Sequence, residues 1–460
     1  MSGANAQTQP VSAAGGAARQ AAGLPRLLPP VPGTSEDLGA HLARNGQPRW
    51  RGTALLAAVK AAGLTGRGGA AFPTHVKLAA AKAASASAGT VGGRAVVVAN
   101  GAESEPASEK DAVLLFHAPH LVLDGLQLAA EAIGARRAFL YVHPGQSARI
   151  QRALDERRRG DDRLPVTIAP APPRFLAGQE TALVNRISGG PALPTFDLRR
   201  VTERGIDGAP TLVQNVETLA HLALIARYGP DWFREKGTAS EPGTMLLTVH
   251  AGGQPRVMES ALGTPLIDVL GALGALGAED AENRAAAVLV GGYHGTWLPM
   301  AQAHELTLDN LSLRRRRATL GAGVVATLPS GTCGLAETAR VVRYLAAESA
   351  GQCGPCLNGL PRIAAAMAEL AGPRPRRATL HDVERWCGLV TGRGACHHPD
   401  GTARFVASAL TVFAPELKRH AAGQCTAPAP APARAGRAGR APVLPLPAGY
   451  TAPTTDEDWR

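Results

Sequence analysis

The chain has 460 residues, 45% hydrophobic and 18% charged, enough for two or three domains with substantial cores. Its formal net charge of +11 rests largely on arginine, in blocks such as Arg314–Arg317 and around Arg374–Arg377. No aromatic interleaving or nucleic-acid module accompanies them, so they read as solvated basic surface on which an acidic redox partner could dock. No apolar run reaches the ~18–20 residues of a membrane span and no charged-then-apolar signal opens the chain, which predicts a cytoplasmic protein without membrane insertion.

Residues 1–50, rich in Ala, Gly, Gln, Pro and Ser, read as a flexible lead-in with a turn or two of helix at Leu38–Arg44. From 51 to 240 strands and helices alternate. Thr53–Ala62 reads as a helix, Arg94–Asn100 as a buried strand, His120–Ile133 as an amphipathic helix and Arg137–Val142 as a second strand. A helix around Ser147–Arg158, a strand at Val166–Ala169 and a helix over Glu180–Ile187 complete an α/β sheet, parallel at least in part. From 241 to 325 the pattern is hairpin (Thr244–Val249, Gly252-Gly253, Pro255–Glu259), helix (Pro265–Leu273) and strand (Ala286–Gly291), a β-grasp-like unit. From 326 to 422 the period is helical, with Leu335–Glu348, Pro361–Ala371, His381–Val390 and Phe405–Phe413 forming a bundle. Residues 423–460 are Ala/Pro/Arg-rich and read as a disordered tail.

The stretch from Gly63 to Lys77 is the densest motif. Gly66, Gly68 and Gly69 let several N–H groups converge on one anion, with Arg67 as a forked cation in the cradle and Lys77 as a second positive charge. Gly66-x-Gly68-x-x-Ala71 could pass for a dinucleotide fingerprint, but a helix rather than a strand precedes it and no acid follows at the right distance. A phosphate cradle is the better reading, against a plain glycine-rich connection. The loop after the first strand, Asn100–Lys110, carries Glu103 and Glu105; on an extended loop these bracket a ligand, or form a solvated turn.

Five of the six cysteines fall from Cys353 to Cys425, which in a reducing compartment suggests metal rather than disulfides. Cys353-Gly-Pro-Cys356 with the remote Cys396 suits thiolate ligation of zinc or of an iron–sulfur cluster. The fourth ligand is open: Cys387 is near in sequence, and His397 and His398 follow Cys396, so zinc held by three cysteines and one histidine is the alternative. Cys333 and Cys425 read as free thiols.

Five segments together resemble one family, the flavoprotein subunit of respiratory NADH dehydrogenase (complex I type), whose module also occurs in NAD-linked hydrogenases and formate dehydrogenases. They are Gly63–Lys77, Asn100–Pro106, Phe175–Asn185, Thr211–Leu219 and Glu348–Gly359, with Cys396–Leu410 fitting the last-cysteine segment. The resemblance spans nearly everything from 50 to 420. It implies an FMN-binding α/β domain, a ubiquitin-like β-grasp (SLBB) module and a helical domain holding a [4Fe–4S] cluster. By that resemblance Gly66, Arg67, Gly68 and Gly69 hold the FMN phosphate, and Lys77, Asn100, Glu103, Gly178, Glu180, Val213, Asn215 and Thr218 complete the flavin pocket. Glu105 and Glu180 match the catalytic positions beside the nicotinamide nucleotide, Phe72 an adenine-stacking aromatic, and Cys353, Cys356 and Cys396 the cluster ligands.

The member is divergent. Ala350 stands at the first cluster cysteine, so three thiolates would hold a [4Fe–4S] centre with one exchangeable iron or a [3Fe–4S] form. Ala102 replaces an aspartate, Ala177-Gly-Gln179 replaces Cys-Gly-Glu, and Gln214 replaces an asparagine. Ala79, two residues after Lys77, and the segment Asp197–Arg200 lack expected aromatics, which lowers expected NADH affinity. The function implied is electron transfer from NADH through FMN to the cluster, then to a protein or quinone-linked acceptor such as a ferredoxin-like or complex I-type subunit. The alternatives are a ferredoxin-linked carrier that does not use NADH, and a non-catalytic remnant of the fold.

Overall fold

The computed structural model describes residues 11–12 (backbone only), 26–29, 33–87, 95–158, 162–252, 254–272, 285–427 and 443–460. Residues 1–10, 13–25 and 428–442, together with Arg94, Gly253 and Leu273, lie outside the described residues, as do the expectations that fall on them.

The first sheet has four strands, β1 (Val96–Asn100), β2 (Arg137–Val142), β3 (Val166–Pro170) and β4 (Thr211–Asn215), all parallel in the order β3-β2-β1-β4. The valine run of β1 is buried on both faces, as a central parallel strand requires. Val97 and Ala99 pack into the main core beneath helices Gly52–Ala62, Pro119–Ile133 and Val216–Arg234, while Val96 and Val98 join Leu183, Val184 and Ile206 on the other side. Helices Pro119–Ile133 and Val216–Arg234 approach closely at Gly125, where a Cβ would stand 2.0 Å from the Leu219 carbonyl oxygen. The order in which strands are added reverses between β1 and β4, whose last residues, Asn100 and Asn215, lie side by side. Ligands of open parallel sheets bind at such a point.

The second sheet is mixed, with β5 (Thr244–His250), β6 (Arg256–Ala261), β7 (Ala285–Val290), β8 (Thr296–Pro299) and β9 (Val324–Pro329) in the order β6-β5-β9-β7-β8. Only the central β5–β9 pair is parallel, and Val11–Ser12 extends the β6 edge. The boundary expected at 325 is corrected: it cuts β9, the central strand, so the unit runs to Pro329. The helical part comprises Gly334–Ala347, Leu360–Leu370, Thr379–Val390, His398–Val412 and Ala414–Ala421 around a core with Leu345, Met367, Val383 and Phe405.

Both chain ends correct the sequence reading. Leu27 and Leu28 are buried, and Asp37 caps helix Leu38–Asn45, so the described part of the lead-in is packed. The tail from 443 is packed as well: Leu444 and Trp459 are buried, Leu444 N–H donates to Glu337 at 2.7 Å, and Ala192 N–H donates to the Trp459 carbonyl at 2.7 Å. Composition missed this because two apolar anchors suffice to hold a segment that is otherwise Pro- and Ala-rich. Among the described residues no single helix is long and apolar enough to cross a membrane; the pair Lys110–His117 and Pro119–Ile133 passes such a test together, but is bent by 97° and supplies core residues.

Candidate functional site

At the switch point the glycine loop is folded back on itself, with Gly66 N–H donating to the Phe72 carbonyl at 2.9 Å and Thr65 bridged to Pro73. Gly69 has φ +111°, a backbone that only glycine adopts freely, and a Cβ on Gly68 would stand 3.1 Å from Asn215 Cβ. Arg67 corrects the expected cradle cation. Its side chain is buried and turned away, donating to the carbonyls of Pro242 (3.3 Å) and Thr244 (3.2 Å) and to Thr65 Oγ1 (2.8 Å). Its backbone N–H donates to the buried Thr218 hydroxyl at 2.9 Å. Arg67 therefore rivets the loop to the second sheet, a role that a guanidinium fork suits as well as it suits phosphate.

Lys77 Nζ pairs with Glu180 Oε1 at 2.5 Å across a cavity of about 700 Å3. Phe72, Lys77, Glu180, Arg199, Arg200 and Arg204 are among its lining, and its size suits a nucleotide-sized ligand. Phe72 is 43% exposed at the rim. Ala80, not Ala79, lines this cavity; Ala79 faces a different surface beside Leu56 and His75. Phe196, 74% exposed, directly precedes Asp197 but is not itself among the residues lining the cavity.

The remaining site residues form the wall behind. Asn100 Nδ2 donates to the Gly178 carbonyl at 2.9 Å, and a Cβ on Gly178 would stand 2.6 Å from Ser104 Oγ. Val213 is buried in the core under the sheet. Asn215 caps helix Val216–Arg234 through Glu217 N–H (3.0 Å) and donates to Asp111 at 2.6 Å. Glu103 and Glu105 do not bracket an open ligand space. Glu103 accepts from Ser108 Oγ (2.5 Å) and from the N–H groups of Asp111 and Ala112 (both 3.1 Å), capping helix Lys110–His117. Glu105 accepts from Tyr293 N–H at 2.9 Å, reaching into the turn before β8. Burial pushes both carboxyls up to about 7, helped at Glu103 by Asp111.

Sequence reasoning missed a buried charge cluster below this wall. Lys110 Nζ donates to Asp111 (2.7 Å) and Glu217 (2.8 Å), and Glu217 also accepts from Leu246 N–H at 2.8 Å. Burial disfavours the Lys110 ammonium, but Asp111 and Glu217 hold it above the ordinary lysine range; Glu217, against its own burial, is held down to about 2 by Lys110 and His221. No local pattern pairs Lys110 with Glu217, 107 residues further along the chain.

The three expected cysteines come together. Cys356 lies in a π-turn, Pro355–Gly359, opening helix Leu360–Leu370, and its thiol is pushed up to about 12 by burial and by its neighbours Cys353 and Cys396. Gly359 lets the turn press on helix Thr379–Val390, since a Cβ there would meet Val390 at 2.2 Å. The histidine alternative is corrected: His397 is fully exposed and pairs with Asp400, while His398 engages the Leu345 carbonyl (2.8 Å) and His294 (3.1 Å). Cys387 is buried with Glu384 as its charged neighbour. Three converging thiols without imidazole fit an iron–sulfur cluster better than zinc. The two sites are joined by Glu348, fully buried, which accepts from Phe175 N–H at 2.8 Å and Arg174 at 3.2 Å.

Residues 59–224 match the family model described as the Nuo51 FMN-binding domain, and residues 336–420 that of the NADH-ubiquinone oxidoreductase-F iron-sulfur binding region. The first of the F subunits of NADH-quinone oxidoreductase from Rhizobium meliloti (strain 1021) is 28% identical over 78% of this chain and 85% of its own. The F subunit of the same enzyme from Streptomyces coelicolor (strain ATCC BAA-471 / A3(2) / M145) is 28% identical over 80% and 83%. Among solved structures, an NAD+-reducing [NiFe]-hydrogenase in the H2-reduced state superposes with a TM-score of 0.69 at 29% identity, over 81% of this chain; the chain spans only 63% of that hydrogenase chain. With the switch-point cavity and the converging cysteines, these matches establish that the chain belongs to the family of FMN- and iron–sulfur-binding flavoprotein subunits of NADH dehydrogenase, a family of oxidoreductases.

Proposed function

We propose that the protein takes electrons from NADH and delivers them through FMN and an iron–sulfur centre to a protein acceptor, such as a ferredoxin-like or complex I-type subunit. Bound flavin accepts a hydride and releases its electrons singly, which is the chemistry the fold is arranged to host. In this reading Phe72 and Phe196 stack the nucleotide, Lys77 and Glu180 orient its ribose and nicotinamide end, and the arginines at 199, 200 and 204 receive its phosphates. The backbone N–H groups of Gly66, Gly68 and Gly69 hold the flavin phosphate, and Arg67 holds the loop rather than the ligand. Asn100, Glu103, Gly178, Val213, Asn215 and Thr218 are then the supporting wall, and Glu105 orients the turn at Tyr293. Cys353, Cys356 and Cys396 hold the cluster, and Ala350 supplies no fourth thiol. The 241–329 sheet, with its hairpin, helix, hairpin and central parallel strand, fits the β-grasp (SLBB) module.

The observation that carries the proposal is the Glu348 tie, which fixes the segment leading to Glu180 against the cysteine loop. Anaerobic purification followed by NADH addition tests it: flavin bands and the iron–sulfur shoulder are expected to bleach together. Oxidised bands at millimolar NADH would overturn the NADH donor. Gln179, in place of the glutamate the family resemblance expects, caps the helix that carries Glu180 and favours one second reading, a ferredoxin-linked carrier, which bleaching by reduced ferredoxin but not NADH would select.

A further inference from the structure

The two cysteines that read as free thiols are not isolated. Cys333, Glu416, His420 and Cys425 each offer one donor atom, and all four atoms lie within 4.8 Å of one another. We propose that these four side chains form a zinc site that fastens the end of the helical bundle, separate from the iron–sulfur cysteines.

Local structure prepares the donors. Glu416 and His420 are four apart on helix Ala414–Ala421 and so share one face. Cys333 is the N-cap residue of helix Gly334–Ala347, and Cys425 comes just after the final helical turn. The separations suit a tetrahedral ion. Cys333 Sγ lies 3.5 Å from His420 Nε2, which lies 3.2 Å from Glu416 Oε1. Bonds of ~2.3 Å to sulfur and ~2.0–2.1 Å to nitrogen and oxygen give tetrahedral edges of about 3.5 and 3.3 Å.

The outer contacts aim the lone pairs inward. His420 Nδ1 lies 2.8 Å from the Leu370 carbonyl, which can only accept, so Nδ1 carries the proton and Nε2 presents its lone pair to the site. Glu416 is oriented by Thr426, whose backbone N–H donates to it at 2.6 Å and whose hydroxyl donates to the other oxygen. Cys333, Glu416 and His420 are buried, whereas Cys425 is exposed and leaves an entry path. Two thiolates with one imidazole select zinc over magnesium or calcium, which prefer all-oxygen shells.

The test uses tag-free, full-length holoprotein. Elemental analysis is expected to find one zinc per chain besides the iron, and C333S/C425S is expected to lose the zinc while keeping its iron and FMN. In the wild-type protein the exposed Cys425 should resist alkylation until a chelator is added, then react at least ~10-fold faster, a readout that needs no variant to fold. Absence of zinc, zinc retained by the double variant, or a Cys333–Cys425 disulfide under reducing purification would each overturn the proposal.

Discussion

Glu103, Glu105 and Glu259 are buried acids pushed up from 4.5 to about 7, chiefly by burial. A raised carboxyl binds its proton more tightly in the folded than in the unfolded chain, so stability falls as pH rises from about 4.5 towards 7. Glu105→Gln keeps an acceptor for Tyr293 N–H and removes one titration. Its melting temperature is expected to decline less than the wild type's between pH 5 and 7, and an unchanged slope would show that Glu105 is ionised throughout. Phe72→Ala in the cavity lining and Phe196→Ala on the exposed segment before Asp197 should each raise the KM for NADH by about 2- to 12-fold, the equivalent of ~0.5–1.5 kcal/mol of stacking, with little effect on kcat. An unaffected KM in both would remove them from the nucleotide site.

Between elements, the buried Lys110–Glu217 pair joins helix Lys110–His117 to helix Val216–Arg234 and, through Leu246 N–H, to β5. Glu217→Gln leaves the Lys110 ammonium with Asp111 and weakens the charge-assisted bonds to Lys110 Nζ and Leu246 N–H, and a loss of ~1.5–3 kcal/mol in chemical denaturation is expected. Gly125→Ala should also destabilise by more than ~3 kcal/mol, because the added carbon meets the Leu219 backbone rather than a movable side chain. Elements with strong periodicity were legible in the sequence: Arg137–Val142 and Glu180–Ile187 match residue for residue. Thr211–Asn215 was not legible as a strand, because it is short and ends in two amides whose purpose is capping and pairing. Strands Thr296–Pro299 and Val324–Pro329 were also missed, and with the latter the true edge of its domain. The cysteine trio was legible from spacing, whereas the contacts of Arg67 and of Lys110 with Glu217, 107 residues away, depend on packing that no local pattern encodes.

At the scale of the whole molecule, the segment from 443 onward ties parts far apart in sequence, with Arg174 donating to the carbonyls of Thr451 (2.8 Å) and Asp458 (3.0 Å). Removing residues 443–460 is expected to lower the melting temperature and expose Arg174 and Arg340 to solvent; unchanged melting would show that the segment only rests on the surface. Arg174 also meets Glu348, the buried carboxylate two residues before Ala350 that receives Phe175 N–H. No hinge separates the strand-side wall from the cysteine loop at that point. If the proposed flavin and cluster sites are filled, the distance between them is then set when the chain folds, with the Glu348 tie resisting its widening. Throughput in such a protein is governed by the potentials of its centres and by access of its acceptor, as in a wire of fixed length rather than a switch.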